Sequence, residues 1–332
     1  MKPYLYLNGL KKLASEIDGN EVVHMGIRPY GFHAGNALAL IVYPYLLCRY
    51  LEMGHKVPKL RFVVSLNDWE QDALDGPDFR KYPFNIYPKN TSLQFTPDEE
   101  GCCASIVDHW EPKIKGTILK IRHRFHDISF EFVRNSSLIN QQSFKKLLLE
   151  TITRPRDQMA IFKRFSAHEV LNKPIQYAGV ICPKCERAQG QTRVTRNDLV
   201  WWRCHHCGEN KRTSYDNLCY WWFHKPMLLA RLEIFGIDIT LSGGDHFSEG
   251  DFLIRRALMA RYAPNIKELK MLFTPTVVAL NGEKMSKSRG NTSFVDIKKF
   301  IKTMDGFTDG AFTITKELIL DQADEHDYSD VF

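Results

Sequence analysis

Short apolar runs alternate with a longer apolar segment near the start of the chain. Residues 21–29, EVVHMGIRP, and residues 59–66, KLRFVVSL, are continuous apolar runs, and the first one breaks into a Gly/Pro turn. Residues 36–54 between them are strongly apolar, contain Pro44 and end at Gly54. This pattern predicts a helix that is kinked or interrupted at the proline and stopped by the glycine. Strand, helix and strand in this order predict a βαβ unit and therefore a parallel sheet.

A similar pattern returns in the last third of the chain, after a stretch that is less regular. The further predictions are, in chain order, loops over 76–112, a segment over 113–133 in which helix and strand cannot be separated, a helix over 140–171, a helix over 218–236, a strand over 237–246 that breaks into glycines, a helix over 250–264 and an extended segment over 269–282. Apolar strands alternating with helices indicate an α/β fold. We therefore predict a Rossmann-type parallel sheet that is interrupted by an insertion.

Composition and charge restrict the class of protein only mildly. The 332 residues are 44% hydrophobic, which is ordinary for a folded protein, and they are enough for two domains or for one large domain with an insertion. A net charge of +6 permits a polyanionic partner without demanding one. The N-terminus has no signal-like apolar stretch and we see no membrane-spanning run, so we expect a cytoplasmic protein with no membrane partner.

Four of the eight cysteines form two tight pairs. Cys182 and Cys185 are separated by two residues, as are Cys204 and Cys207, and 18 residues lie between the pairs. This spacing is typical of a structural zinc ribbon, whose four thiolates would close the coordination shell of Zn²⁺. Disulfides or free thiols are the alternatives, and His205 and His206 are alternative ligands. The scattered cysteines Cys48, Cys102, Cys103 and Cys219 are interpreted as ordinary thiols.

The segment PYGFHAGN, Pro29 to Asn36, lies where the first predicted strand passes into the first predicted helix. Open α/β sheets bind ligands at such a position. Gly31 and Gly35 permit a ligand to approach the backbone, and a helix N-terminus offers N–H groups to an anion. His33 and Asn36 are three residues apart and can point at the same phosphate group. The alternative is an ordinary Gly-rich turn with a capping asparagine.

A second segment, NGEKMSKSRG over residues 281–290, places Lys284, Lys287 and Arg289 between two glycines. Lysines, serines and backbone amides in such a loop suit a charge that develops during a reaction, notably on a departing pyrophosphate. The glycines allow the loop to close after a substrate binds. The alternative is a solvated basic turn. A basic group formed by Lys113, Lys115, Lys120, Arg122, His123 and Arg124 is a further candidate, for contact with RNA phosphates or simply as a solvated face.

HAGN at 33–36, followed by KMSKS at 284–288, resembles the paired signatures of the class I aminoacyl-tRNA synthetases. Within that class the chain is most similar to the class I lysyl-tRNA synthetases, whose first motif commonly ends in Asn. The resemblance also includes, in chain order, LNDWEQD at 66–72, FRKYP at 79–83, the two cysteine pairs and SGGDH at 242–246. It implies a class I catalytic domain over most of the chain.

The resemblance implies roles for the residues that match. The catalytic residues would be His33, Asn36, Lys284 and Lys287. The ATP-binding residues would be Gly31, His33, Gly35, Asn36, Gly243, Gly244, Asp245, His246, Lys284, Met285, Ser286, Lys287 and Ser288. The amino-acid pocket would draw on Asp68, Trp221, Trp222 and His224, although a helix cap is an equal alternative for Asp68 and core packing is the alternative for the tryptophans.

The implied activity is ATP-dependent activation of an amino acid, with Mg²⁺ accompanying ATP and Zn²⁺ in a structural role. The partners would be ATP, lysine or another amino acid, and an acceptor that is tRNA or a small molecule, a peptide or a carrier protein. Lys225, next to His224, disfavours a lysine side chain by like-charge repulsion. A non-catalytic paralogue that binds RNA or a regulatory partner is the main alternative, and a nucleotidyltransferase of related fold is a third.

The resemblance also divides the chain. We predict a first half of the catalytic domain over 1–112, a connective insertion over 113–217 with its zinc ribbon at about 177–215, a second half over 218–292 and a helical tail over 293–332. Only 44 residues follow Ser288, which is short for another independent domain. We therefore expect no anticodon-binding domain.

Overall fold

A computed structural model describes most of the chain. The described residues are 1–69, 79–81, 86–88, 91–98, 100–153, 155–165, 179–187, 190–194, 199–214, 217, 220–222, 224–248, 250–264, 268–285 and 291–320. The strands are β1 Lys2–Leu5, β2 Val22–Ile27, β3 Arg61–Leu66, β4 Phe79–Lys81, β5 Ile86–Pro88, β6 Ser129–Arg134, β7 Gly179–Val180, β8 Gly190–Val194, β9 Leu199–Cys204, β10 Asn210–Ser214, β11 Tyr220–Trp222, β12 Ile239–Ser242, β13 Lys270–Phe273, β14 Thr276–Val278 and β15 Ala311–Thr313. The α-helices are α1 Tyr6–Glu16, α2 Ala34–Ala37, α3 Tyr43–Met53, α4 Ile106–Leu119, α5 Gln142–Thr153, α6 Pro155–Phe165, α7 His224–Phe235, α8 Gly244–Ser248, α9 Asp251–Tyr262 and α10 Ile297–Met304.

Six strands form a parallel sheet in the order β1-β13-β12-β2-β3-β6. Its central strands are apolar on both sides, as in β3, where five of the six residues of RFVVSL are buried. That composition is expected of a parallel sheet covered on both faces. The chain passes from β2 towards β6 on one side and from β12 towards β13 on the other. The order therefore reverses between β2 and β12, which is where such sheets bind ligands.

Two apolar cores cover the two faces of this sheet. One contains residues of α1, α3 and α10 together with Phe62, Val64 and Leu66 of β3. The other contains residues of α5, α7 and α9 together with Met271 and Phe273 of β13. Alternate strand residues thus pack on opposite sides, as the two-residue period of a strand requires. This confirms the predicted α/β class with a mostly parallel sheet.

The helix predicted over 36–54 is continuous from Ala34 to Met53 but changes geometry within its length. Residues Leu38–Val42 form a π-helical stretch immediately before α3, whose second residue is Pro44. Proline lacks a backbone N–H, and wider helical turns are a usual way to accommodate such a break. By length and composition this helix could cross a membrane, yet 67% of its most apolar window is buried inside the fold. Such burial is that of a core helix.

The segment predicted as loops over 76–112 contains β4, β5 and the start of α4, and α8 begins within the strand predicted over 237–246. Three further boundaries also differ from the structure. Strand β6 pairs with β3 in the main sheet, so the first sheet-forming segment, which we predicted to end at residue 112, continues to residue 134. Strand β11 occupies the beginning of the segment that we predicted as a helix over 218–236, and it pairs with β7 in a second, five-stranded sheet. The predicted C-terminal helical tail contains α10 but also β15, which pairs with β14. In each case tertiary pairing overrides the local pattern.

Candidate active site

The turn between β2 and α2 is organised by His33 and Asn36. His33 caps the helix, because its Nδ1 accepts a hydrogen bond of 3.1 Å from the backbone N–H of Gly35. The side-chain oxygen of Asn36 accepts in return from the backbone N–H of His33 at 3.4 Å. Since Nδ1 is an acceptor, the proton of the neutral ring lies on Nε2. The two residues are thus held together just beyond the carboxyl end of β2, where the sequence placed them.

Three glycines near the carboxyl ends of β2 and β12 are constrained by their surroundings or their backbone conformation. A Cβ on Gly35 would lie 3.0 Å from Cε1 of His33, so a side chain there would displace the capping ring. A Cβ on Gly244 would lie 2.3 Å from the carbonyl oxygen of Thr274, which is a prohibitive contact. The end of β12 therefore lies directly against the link between β13 and β14. Gly31 adopts a left-handed φ of +65° that other residues rarely adopt.

Lys284 and Asp245 join the two motif segments that lie at the ends of β12 and β14. The Nζ of Lys284 is 2.6 Å from Oδ2 of Asp245, and both side chains are partly exposed. Burial raises the pKa of Asp245, but the neighbouring charge of His246 and the hydrogen bond from Lys284 outweigh it, so the pKa lies below its usual value. Asp245 is therefore a carboxylate near neutral pH. The backbone carbonyl of Lys284 accepts from the side-chain amide of Asn291 at 3.1 Å.

The structure describes only Lys284 and Met285 of the KMSKS motif. Met285 is buried, and its backbone N–H donates to Val277 at 2.9 Å, which fixes the start of the loop. Ser286, Lys287 and Ser288 lie outside the described residues. Their predicted roles therefore stay predictions.

A cavity of about 620 Å³ opens at the carboxyl ends of the central strands. This is a normal size for a small-molecule site. The lining residues are His24, Met25, Gly26, Ile27, Arg28, His33, Gly35, Asn36, Ala39, Leu40, Asn67, Arg231, Thr240, Leu241, Ser242, Gly243, Asp245, His246, Arg255, Thr274, Pro275, Thr276, Val277, Lys284 and Met285. The cavity thus brings together HAGN, the glycine–aspartate–histidine segment after β12 and the start of KMSKS, which the sequence placed in one site.

The deep end of the cavity contains polar residues that sequence reasoning missed. Nε2 of His24 lies 3.0 Å from Oγ of Ser65 and 3.5 Å from a guanidinium nitrogen of Arg231. Burial, together with the charges of Arg231 and Arg255, holds the pKa of His24 well below its usual value, so the ring is neutral. Burial lowers the pKa of Arg255 to about 10, and its Nε is 2.7 Å from Oδ2 of Asp251. A histidine in an apolar strand and an arginine in an apolar helix were the available signals.

The predicted amino-acid pocket is only partly assembled. The carboxylate of Asp68 accepts from the backbone N–H of Ser136 at 3.0 Å and also from the hydroxyl of that residue, and Asp68 is not among the residues that line the cavity. Burial raises the pKa of Asp68, and the hydrogen bonds from Ser136 oppose that rise. Its neighbour Asn67 lines the cavity instead. Trp221 and Trp222 lie in β11 and His224 begins α7, but their side chains are outside the described part of the structure.

The two cysteine pairs converge at one point, as the spacing predicted. Sγ of Cys182 is 3.6 Å from Sγ of Cys207, and Sγ of Cys185 is 3.7 Å from Sγ of Cys204. Zn–S bonds of about 2.3 Å in a tetrahedron place neighbouring sulfurs about 3.8 Å apart. All four sulfurs lie within 4.8 Å of one another. The donor set is therefore compatible with a closed structural zinc site in the five-stranded sheet.

A second cluster with metal-ligand chemistry lies before α4 and was missed by the sequence analysis. Oδ1 of Asp98 is 3.0 Å from Nδ1 of His109, and that nitrogen is 3.3 Å from Sγ of Cys102. Sγ of Cys103 is 3.3 Å from that of Cys102. One carboxylate, two thiols and one imidazole form a suitable set for zinc. Cys102 and Cys103, which we interpreted as ordinary thiols, thus belong to a second group that could hold a metal ion.

The basic group at the end of α4 is partly neutralised. Nζ of Lys115 is 2.5 Å from Glu111, and a guanidinium nitrogen of Arg124 is 3.0 Å from Glu52. Nζ of Lys113 is 3.6 Å from Glu100. These pairs reduce the positive potential that the sequence alone indicated.

Comparison with known proteins gives one extensive match. The family model described as tRNA synthetases class I (K) matches residues 9–306. No curated protein matches the sequence significantly.

Solved structures of several synthetases are similar to this chain at low identity. Tyrosyl-tRNA synthetase from Archaeoglobus fulgidus, complexed with L-tyrosine, is 14% identical with a TM-score of 0.43, over 86% of this chain and 64% of that one. Tryptophanyl-tRNA synthetase from Campylobacter jejuni is 15% identical with a TM-score of 0.37, over 87% of this chain and 67% of that one. Arginyl-tRNA synthetase from Plasmodium falciparum is 13% identical with a TM-score of 0.32, over 83% of this chain and 46% of that one. The chain thus spans less than two thirds of the Archaeoglobus protein.

Proposed function

The chain belongs to the class I tRNA synthetases of the (K) family, and from this premise we propose that it activates an amino acid with ATP to form an aminoacyl adenylate. One observation carries the proposal. His33 and Asn36, from one end of the chain, and Lys284, from the other, line the same cavity at the reversal point of the sheet. Nothing in packing alone requires a lysine and a capping histidine to meet there. A bound triphosphate would account for all three side chains, because its negative charge needs several hydrogen-bond donors.

In the proposed reaction a carboxylate oxygen of the amino acid attacks the α-phosphorus of ATP. A new O–P bond forms, the bond from the α-phosphorus to the bridging oxygen breaks, and pyrophosphate leaves with the electron pair. The Nε2–H of His33, the side-chain amide of Asn36 and the ammonium of Lys284 would bind the phosphate oxygens. Their contribution is positioning and charge stabilisation rather than covalent chemistry. Mg²⁺ would enter with ATP and reduce the charge of the triphosphate. Ser286, Lys287 and Ser288 would complete this group.

The remaining parts of the proposal concern substrates. The similarity to class I lysyl-tRNA synthetases makes lysine the first amino acid to test. tRNA is the first acceptor to test, followed by a small molecule, a peptide or a carrier protein. We place the activity in the cytoplasm. The four cysteines of the ribbon would hold a structural Zn²⁺ that contributes folding free energy and no chemistry.

Amino-acid-dependent exchange of labelled pyrophosphate into ATP tests this function. It should be run with each of the twenty amino acids, with and without bulk tRNA. At least one amino acid should support exchange, and Lys284→Ala should lower the rate by about 100-fold or more, as loss of one charge-stabilising donor does. Lys302→Ala, an exposed lysine of α10, is the matched control and should leave the rate unchanged.

The same assay separates the alternative. Silence with every amino acid, under both conditions, would contradict adenylation. A protein that then still bound RNA or a protein partner, with binding unaffected by Lys284→Ala, would be a non-catalytic paralogue.

A further inference from the structure

The ribbon, which is the five-stranded sheet that carries the two cysteine pairs, packs against a short segment next to the catalytic cavity. The contact is made by the first cysteine turn, which begins at Cys182. Arg187, at the end of this turn, forms an antiparallel bridge with Thr91. The carbonyl of Glu186 accepts from the backbone N–H of Ser92 at 3.4 Å. Arg187, Thr91 and Ser92 are all buried, so the contact lies inside the protein.

The direction of the Glu186 carbonyl is fixed by the geometry of the cysteine turn. The N–H of Glu186 donates to the carbonyl of Cys182 at 2.8 Å, and Glu186 adopts a left-handed φ of +58°. The second cysteine turn closes in the same way, because the N–H of Gly208 donates to the carbonyl of Cys204 at 3.2 Å with a φ of +75°. A left-handed conformation is costly for a residue other than glycine. Glu186 keeps it because the turn requires it, and its carbonyl therefore points reliably at Ser92.

Ser92 connects this contact to the turn that follows β3. Its hydroxyl lies 3.2 Å from the carbonyl oxygens of both Asp68 and Trp69. The backbone N–H of Gln94 donates to the same carbonyl of Asp68 at 3.1 Å. These hydrogen bonds use backbone carbonyls, so they do not depend on the carboxylate of Asp68, which holds Ser136. The turn after β3 is thus held through its backbone on one side and through the Asp68 side chain on the other.

Asn67 is the residue of this turn that lines the cavity. Its Oδ1 accepts from the amide of Asn135 at 2.7 Å and from a guanidinium nitrogen of Arg231 at 3.4 Å. Its NH₂ group is therefore what it can offer a ligand. That nitrogen lies 3.8 Å from the position of a Cβ on Gly26, which also lines the cavity. The residues assigned to ATP follow β2, β12 and β14, whereas Asn67 follows β3, so it lies on the side of the cavity that remains for the amino acid.

We propose that the ribbon stabilises the β3 side of the catalytic cavity, and that Ser92, which contacts both the ribbon and the turn after β3, is a positioning residue for Asn67. The inference rests on the proposed adenylation, in which Asn67 would contact the amino acid. Among the described residues, the ribbon contributes none to the cavity lining. Its effect on the substrate is therefore indirect. Supporting residues of this kind matter because a substrate that is slightly misplaced reacts much more slowly.

Amide hydrogen exchange of the whole protein, measured by mass spectrometry, tests the link between ribbon and cavity without catalysis. Cys204→Ser changes the ribbon at its second cysteine turn, away from Ser92, and zinc content is measured on the same samples. Exchange over residues 92–96 should become about 5-fold faster or more, because the N–H of Ser92 loses a fixed acceptor. Unchanged exchange over 92–96, whatever the ribbon itself does, would overturn the proposal. Lys211→Ala, an exposed residue of β10, is the control and should change neither region.

Ser92→Ala tests the positioning role in pyrophosphate exchange. It removes one hydroxyl, while the carbonyl of Asp68 keeps its hydrogen bond from Gln94, so the protein should fold. The KM for the amino acid that best supports exchange should rise about 3- to 10-fold, as loss of one hydrogen bond allows. The zinc content, kcat and the KM for ATP should stay unchanged. Ser15→Ala is the matched control, because that hydroxyl also donates to a backbone carbonyl, that of Lys12 at 2.7 Å, on the exposed face of α1.

A double variant shows whether Ser92 acts through Asn67. Ser92→Ala should raise the KM for the amino acid much less in an Asn67→Ala background than in the wild type, because the effects of coupled residues do not add. Additive effects, an unchanged KM in Ser92→Ala, or an equal rise in the KM for ATP would each overturn the role of Ser92. Silence in pyrophosphate exchange with every amino acid would contradict adenylation, and hydrogen exchange over 92–96 would then decide whether the ribbon stabilises the cavity.

Discussion

Replacing Gly244 with alanine should disrupt the wall of the cavity, because the added methyl group has no room. The Cβ would lie 2.3 Å from the carbonyl oxygen of Thr274 and 3.1 Å from the backbone nitrogen of Thr276. Neither backbone group can easily move. The N–H of Thr274 donates to Ser242 at 3.0 Å, and that of Thr276 donates to Gly310 at 2.9 Å. A contact almost 1 Å too short against fixed backbone corresponds to the upper end of overpacking costs, about 3 kcal/mol.

Thermal denaturation and pyrophosphate exchange measure the result. Gly244→Ala should lower the melting temperature by several degrees, at roughly 2 °C per kcal/mol or less for a chain of this size. It should also lower kcat/KM for ATP, since Asp245 and His246 follow directly. The control is Gly116→Ala in α4, where nothing lies within 4 Å of the new methyl group. Alanine favours a helix over glycine by about 0.5–1 kcal/mol, so this control should be slightly more stable than the wild type. If Gly244→Ala melted as high as Gly116→Ala, the close approach of β12 to the β13–β14 link would be refuted.

Three further predictions concern the metal clusters, His24 and Asp68. Metal analysis should find two zinc ions per chain. Cys204→Ser should remove one of them and Cys103→Ser should remove the other. A single zinc ion in the wild type would refute metal binding by the cluster at Asp98 and His109. Because the pKa of His24 is held well below 6.5 in the folded state, the unfolded chain takes up a proton that the folded chain does not, so the contribution of His24 to stability is present above about pH 6.5 and is lost as the pH falls below it. His24→Gln should therefore flatten the decline in the free energy of unfolding below pH 6.5, and an unchanged decline would contradict a buried neutral histidine. Asp68→Asn should lower the melting temperature without changing the KM of the amino acid, because its carboxylate holds Ser136; a raised KM would restore its predicted role in the substrate pocket.

The sequence predicted best the features that depend on contiguous residues. The apolar runs of β2 and β3 with the helix between them determine a parallel βαβ unit, whose strand end fixes where His33 and Asn36 lie. The geometry of the two cysteine pairs could likewise be predicted, because each pair lies in a tight turn that is formed by a few adjacent residues. Strand β6 was not separated from helix because its side chains are only half-buried and alternate with charges. Its pairing with β3 is a tertiary property that no local pattern contains.

The deep end of the cavity was harder to predict, because its residues come from separate elements that carry no motif. His24, Arg231 and Arg255 each stand in an apolar segment whose pattern alone determines only a strand or a helix. Only the packing of α7 and α9 over β2 brings these three side chains, one from each element, to the same cavity. A fold can keep its reaction and change its substrate through such positions. The motifs at 33–36 and 284–288 therefore bear on a different property of the protein from the residues at 24, 231 and 255. The first set bears on whether ATP is used. The second set lines the deep end of the same cavity, where the ring of His24 is neutral, Arg231 donates to Asn135 and Asn67, and Arg255 is paired with Asp251.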